Sequence, residues 1–190
     1  MKPILIDFPD RIETERLYIR PCLPGDGKIL FDAINYSREE LKKWLPFANR
    51  DQQLDDIEEG IRTSYAEFIK RNDFRLHIYR KRDNVFIGST GLHRINWEAK
   101  RFEIGYWQDS RQSNNGYITE AVKGLTSFAF NHLEAERIEI RCDSLNIRSR
   151  KVAERLSFTL EGILRNNETS VDGTTLRSTC IFSMLKNEWQ

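Results

Sequence analysis

Apolar and polar side chains change their period several times along the chain, and each change marks an element. Arg16-Leu17-Tyr18-Ile19-Arg20 alternates with period two and Pro21 closes the run, which predicts a half-buried strand over 15–21. From Asp26 the period lengthens, and Ile29, Leu30, Ala33 and Ile34 fall at helical spacing. Ser37-Arg38-Glu39-Glu40 has the form of a capping box and predicts a second, short helix that presents Leu41, Trp44 and Leu45 and stops at Pro46. A third helix is predicted over 55–71, with Ile57, Ile61, Tyr65, Phe68 and Ile69 on one face and charge on the other. Strands at 74–81 and 85–92 flank the turn signal Lys81-Arg82-Asp83-Asn84 and read as a hairpin.

Arg101 to Gln108 is a further strand, followed by a polar segment and a helix starting near Tyr117, whose face is Ile118, Ala121, Val122, Leu125, Phe128 and Ala129. Arg137 to Cys142 reads as a strand, Asn146 to Leu156 as a helix and Phe158 to Arg165 as a strand. A last hairpin turns at Asp172-Gly173 into Leu176 to Leu185. No repeat or linker divides the chain, so one domain over 1–190 is expected. The order predicts a mixed α/β (α+β) fold, its sheet largely antiparallel with one βαβ step in the middle.

Charge changes this picture by exclusion. Lys and Arg number 30 against 29 Asp and Glu, a formal net charge of +1, so no global field draws in nucleic acid or an anionic membrane. Cys22, Cys142 and Cys180 lie far apart without a Cys-x-x-Cys pair, which argues against a zinc site and against a disulfide framework. Reduced thiols in the cytoplasm fit best, with no metal. The first ten residues have no export signal, and nowhere do apolar residues run long enough to span a bilayer.

Candidate chemistry gathers where strands give way to helices. Arg111-Gln112-Ser113-Asn114-Asn115-Gly116 places Asn and Gly where left-handed backbone is needed, directly before a helix N-terminus, a natural seat for a diphosphate. It is neither a P-loop nor a dinucleotide fingerprint, and taken alone it reads equally as a polar turn entering a helix. Downstream, Asn146 and Ser149 share one side of a helix's first turn, where Asn146 reads equally as a plain N-cap. Two such junctions at one sheet edge reinforce each other.

Four segments carry a resemblance: Thr14 to Pro21; Glu103-Ile104-Gly105-Tyr106-Trp107; Gly116-Tyr117-Ile118-Thr119-Glu120-Ala121; and Asn146-x-x-Ser149 with Val152 to Phe158. In this order they resemble signatures of the GNAT acetyltransferases, and within them the RimJ/RimL branch, which acetylates protein N-termini, those of ribosomal proteins above all. Two positions depart from the pattern: Asn114 stands at the family's first glycine and Ser157 at the glycine of its Leu-Gly-Phe.

The resemblance implies a GNAT fold, a mixed, mostly antiparallel central sheet splayed in the middle and flanked by helices. It implies acetyl-CoA as cosubstrate and a primary amine as acceptor. By analogy, the amides of Gln112, Asn114, Gly116 and Tyr117 hold the diphosphate, with Arg111 beside it. Strand 102–108 splays from strand 137–142, so that backbone at Ile104, Tyr106 and Trp107 binds the pantetheine arm, while Asn146 and Ser149 face the arm and thioester. Gly105 suits such a splay. A direct attack is implied, with an amide near Tyr106 or Trp107 stabilising the oxyanion. Glu103 is the expected base, and it reads equally as one half of an ion pair; His93 is an alternative. Ser149 is the expected proton donor to the thiolate, because Ala153 stands where many GNAT enzymes have a tyrosine and no tyrosine follows Tyr117. Trp44, Phe47 and Trp97 suit either an acceptor wall or the core. A protein α-amine is the expected acceptor. The alternatives are a small amine (a polyamine, an amino sugar or an amino acid) or a non-catalytic acyl-CoA-binding regulator. The assembly expected is a monomer or homodimer.

Overall fold

The computed structural model describes residues 2–189. Its strands are β1 (Ile12–Glu13), β2 (Leu17–Pro21), β3 (Phe74–Arg80), β4 (Phe86–Asn96), β5 (Arg101–Gln108), β6 (Arg137–Asp143), β7 (Thr159–Thr169) and β8 (Leu176–Leu185). Its α-helices are α1 (Gly27–Leu41), α2 (Leu54–Lys70), α3 (Tyr117–His132) and α4 (Ile147–Arg155). The eight strands form one sheet in the order β1-β2-β3-β4-β5-β6-β8-β7. Every neighbour is antiparallel except β5 and β6, which α3 connects as the expected βαβ step.

That parallel pair matters most for function. It is in register only at Arg101↔Arg137, Phe102↔Ile138 and Glu103↔Glu139. Beyond Glu103 the two strands separate, although β5 continues to Gln108 against β4 and β6 continues to Asp143 against β8. The splay expected between 102–108 and 137–142 is therefore present. It leaves a backbone-lined gap in the middle of the sheet.

Each sheet face has its own core. On one, the period of α3 buries Ala121, Val122, Leu125 and Ala129 against Leu17, Ile19, Leu76, Ile78 and Ile104. On the other, Leu30, Ala33 and Ile34 of α1 meet Ile57 and Ile61 of α2 over Cys22, Tyr79 and Phe86. Burial of this kind contributes roughly 25 cal/mol per Å² of apolar surface, and it overrides weaker local signals.

Ser37 shows this override. Instead of capping a second helix it lies inside α1, because Leu30, Ala33, Ile34, Ser37 and Leu41 continue one buried face without a breaker. Its side chain is 1% exposed, and its Oγ accepts the Ser110 N–H at 2.8 Å. Glu39 and Glu40 pair with Lys42 and Lys43 on the solvent side, and a 3-10 turn at Pro46–Asn49 follows. β4 also runs past 92 to Asn96, β7 past 165 to Thr169, and β1 is an addition to the elements read from the sequence.

Candidate active site

The loop after β5 is built from within. Asp109, 2% exposed, accepts from the backbone N–H and the guanidinium of Arg111, and the Gln112 N–H donates to the Asp109 carbonyl at 2.9 Å. The guanidinium of Arg111 also lies over the Tyr36 ring, 4.8 Å from its centroid. Arg111 and Gln112 thus brace the loop from below. Asn114 (φ 65°) and Gly116 (φ 74°) both adopt the left-handed conformation expected of them. The backbone N–H groups from Asn114 to Thr119 find no acceptor among the described residues, and the helical ladder begins with Glu120 N–H to Gly116 carbonyl at 3.1 Å. A row of free amides at the positive end of a 16-residue helix is an anion site by construction.

Across the gap, Asn146 caps α4 by accepting the Ser149 N–H on Oδ1 at 3.1 Å. It also borders the larger cavity described below. The Ser149 Oγ donates to the Tyr106 hydroxyl at 3.1 Å, and that hydroxyl donates to the Ser149 carbonyl at 2.9 Å. A tyrosine therefore does reach Ser149, from β5 rather than from the helix. Burial raises the Tyr106 pKa, which keeps its proton in place, with the Ser149 hydrogen bond pulling the other way.

Of the site residues assigned from the sequence, all but Arg111, Gln112 and the alternative base His93 border one cavity of about 720 Å³. Six cations that the sequence reading passed over border it too: Arg94, Arg141 and Arg177 on the strands, and Arg148, Lys151 and Arg155 on α4. Arg148, Lys151 and Arg155 lie at i, i+3 and i+7 on one face of α4, a spacing visible in the sequence once the helix is assigned.

A second cavity, of about 330 Å³, lies on the α1/α2 side of the sheet and shares Leu45, Gly105, Tyr106 and Trp107 with the first. The two potential bases meet near this junction. Glu103 and His93 are register partners on β5 and β4 and so share a sheet face with Gly105. Burial raises the Glu103 pKa, while Arg94 and Arg141 pull it back; Arg94 Nη1 lies 3.4 Å from the carboxylate. His93 has a partner that the sequence did not disclose: its Nδ1 is 2.7 Å from Asp73 Oδ2. Its ring lies over the glycines of the floor, where a β-carbon on Gly91 would come within 2.6 Å of Nε2.

The aromatic residues divide. Trp44 borders the larger cavity and Phe47 the smaller, where it packs against Trp107 at 5.9 Å. Trp97 belongs to the core, edge-on to Phe102, with its indole N–H donated to the Arg71 carbonyl at 3.0 Å. The three cysteines are free and buried, and burial pushes the Cys142 thiol up to about 11, although it faces Cys180 across β6 and β8.

Comparison with known proteins agrees with this geometry. The family described as "Acetyltransferase (GNAT) domain" matches residues 16–159. YdaF of Bacillus subtilis (strain 168), provisionally named a ribosomal N-acetyltransferase, is 32% identical over 93% of this chain and 95% of its own. The ribosomal-protein-serine acetyltransferase of Escherichia coli (strain K12) is 31% identical over 82% of this chain and 86% of its own. Among solved structures, RimL, a ribosomal L7/L12 α-N-protein acetyltransferase in complex with coenzyme A, superposes with a TM-score of 0.87 over 94% of this chain and 99% of that one; at 18% identity it speaks for the fold.

Proposed function

The chain belongs to the GNAT acetyltransferase family, and from that premise we propose that residues 1–190 act as one unit that moves an acetyl group from acetyl-CoA to a protein N-terminal α-amine of the ribosomal-protein type. The observation that carries this reading is the parting of β5 from β6 after Glu103, beside a row of unpaired amides. The names of the relatives favour a protein acceptor. So does acidity: an α-amine titrates near ~7.7–8.0 and a lysine near ~10.4, so only the former offers much free base at neutral pH. Three free, buried cysteines suit the reducing cytoplasm.

In this reading the amides of Asn114, Gly116 and Tyr117 take the diphosphate, and Arg148, Lys151 and Arg155 neutralise the remaining phosphate charge. The edge of β5 from Ile104 through Tyr106 to Trp107, which β6 leaves unpaired, holds the pantetheine arm as an added strand would be held, with Asn146 on its opposite flank. Acetyl-CoA supplies the activated acyl carbon. An N–H at Tyr106 or Trp107 stabilises the oxyanion, and Ser149, backed by the Tyr106 hydroxyl, protonates the departing sulfur. Glu103 accepts the amine proton. The Asp73–His93 pair is a second candidate for that role, favoured by its own geometry: Asp73 orients the ring and leaves Nε2 toward the cavity.

Glu103→Gln tests the assignment. It is expected to lower kcat by about 10²-fold or more and to spare acetyl-CoA affinity. In the wild type, kcat/KM is expected to rise with pH through an acid limb displaced upward from the usual glutamate range, because only the deprotonated carboxylate is a base and burial raises its pKa. That limb disappears in the variant. If the limb persists in Glu103→Gln and vanishes in His93→Gln, the base is His93. Tight acetyl-CoA binding without CoA release from any amine would show a regulator instead.

A further inference from the structure

The smaller cavity has a floor made of one cross-strand row. Arg75 on β3 is in register with Gly91 on β4, and Gly91 with Gly105 on β5. Strands lie about 4.8 Å apart, so the row runs roughly 10 Å from the mouth of the splay at Gly105 to the base of Arg75. The two glycines contribute no side chain to it. A β-carbon on Gly91 would collide with the Phe74 carbonyl, and one on Gly105 would sit 3.0 Å from His93 Cδ2. The parallel row on one side carries His77, Ser89 and Trp107, and on the other side stand His93 and Glu103. The floor is thus a trough that connects the acyl end of the larger cavity to the guanidinium of Arg75.

That guanidinium has no carboxylate within ion-pairing reach among the described residues. Among the described residues its one side-chain hydrogen bond is a long one, Nη1 to Ser64 Oγ at 3.5 Å. The neighbouring carboxylates are engaged elsewhere. Asp26 receives both nitrogens of Arg20 at 2.8 Å, Asp73 holds His93, and Asp56, which borders the cavity, accepts the Gln53 N–H at 2.8 Å. Glu58 takes the Gly25 and Gly27 amides and Arg62. A half-buried cation with no direct ion-pair partner, and only the more distant charge of Asp73 to offset it, gains from an anion that enters the cavity. Arginine's planar fork suits a carboxylate, which it binds through two hydrogen bonds.

We propose that Arg75 is the anion-binding end of the acceptor trough, and that the acceptor is an amine bearing a carboxylate within a trough's length of its nitrogen. The inference rests on the transferase reading for its sense of direction, amine toward Gly105 and anion toward Arg75. Two sources share this chemistry: the carboxylate of a free α-amino acid, and an acidic side chain at the second position of a peptide N-terminus.

Calorimetry on the full chain saturated with coenzyme A distinguishes them. The probes are the tripeptide amides Ala-Glu-Ala and Ala-Gln-Ala, and alanine against alaninamide. In one pair the carboxylate member is expected to bind at least tenfold more tightly, and the pair affected names the source. Arg75→Gln is expected to bring that pair to equal affinity, with the fold checked by circular dichroism. Should that variant not fold, Arg75→Lys keeps the charge without the fork and is expected to retain only part of the preference. Equal affinities within both wild-type pairs overturn the proposal, as does a preference that survives Arg75→Gln or is undiminished in Arg75→Lys. Because the readout is binding, it is independent of turnover. A carboxylate preference without CoA release from any acceptor would overturn the transferase reading and leave the anion site standing.

Discussion

Ser157 follows the last turn of α4 with φ 60°, a conformation that crowds the β-carbon of any residue other than glycine. Serine here departs from the family pattern, and the backbone has kept the glycine geometry. Ser157→Gly is therefore expected to stabilise the fold by about 1 kcal/mol, raising Tm by roughly 2–4 °C in thermal unfolding. An unchanged or lowered Tm would show that the serine is not strained. Asn114 makes the matching departure in the loop at φ 65°, with a side chain that tolerates the region better. Both positions were legible in the sequence, because backbone demands are local. The Tyr106 hydroxyl was not. Its partnership with Ser149 spans 43 positions, and a search of the helix alone for a tyrosine overlooks a strand delivering one. The same holds for Asp73, whose pairing with His93 depends on how β3 and β4 align. Nor was the buried Asp109 legible as the partner that takes the Arg111 guanidinium and, through its carbonyl, the Gln112 N–H.

At the scale of elements, periodicity located the helices and nearly every strand. It failed where a polar residue belongs to a buried face: Ser37 carries the signature of a helix start yet continues α1, since its hydroxyl is satisfied by the loop after β5. The joint between α1 and the sheet makes a related use of buried polarity. Burial pushes the Asp26 pKa up, but the Arg20 guanidinium, His77 and the Leu23 amide outweigh it and hold the carboxyl well below its usual range. Burial lowers the His77 pKa, and Asp26 opposes this without prevailing. Both folded-state values are depressed, so both groups contribute stability at neutral pH that is lost on acidification. The loss is expected to begin below about pH 6.5, as His77 protonates in the unfolded chain, and to steepen below about pH 3.9, where Asp26 follows. Asp26→Asn should cost about 3 kcal/mol at pH 7 and flatten the lower segment. Denaturant unfolding at stepped pH measures both; a variant that loses stability in parallel with the wild type below pH 4 would remove Asp26 from this role.

Across the whole molecule, the sheet does two jobs at one place. Its β5–β6 gap opens to the amide row and the basic face of α4, while its α1/α2 face forms the trough that ends at Arg75, and the two cavities share Gly105, Tyr106 and Trp107. The sequence implied the first half of this through motifs in order. The second half depends on three strands being in register, which composition and spacing do not specify. The claim on which the rest stands is that the splay and the amide row receive coenzyme A. Isothermal titration of the ligand-free protein with coenzyme A and with pantetheine, which lacks the diphosphate, tests it most directly. The account predicts one site per chain for coenzyme A and at least tenfold weaker binding of pantetheine. Equal affinities, or no association with coenzyme A, would contradict it.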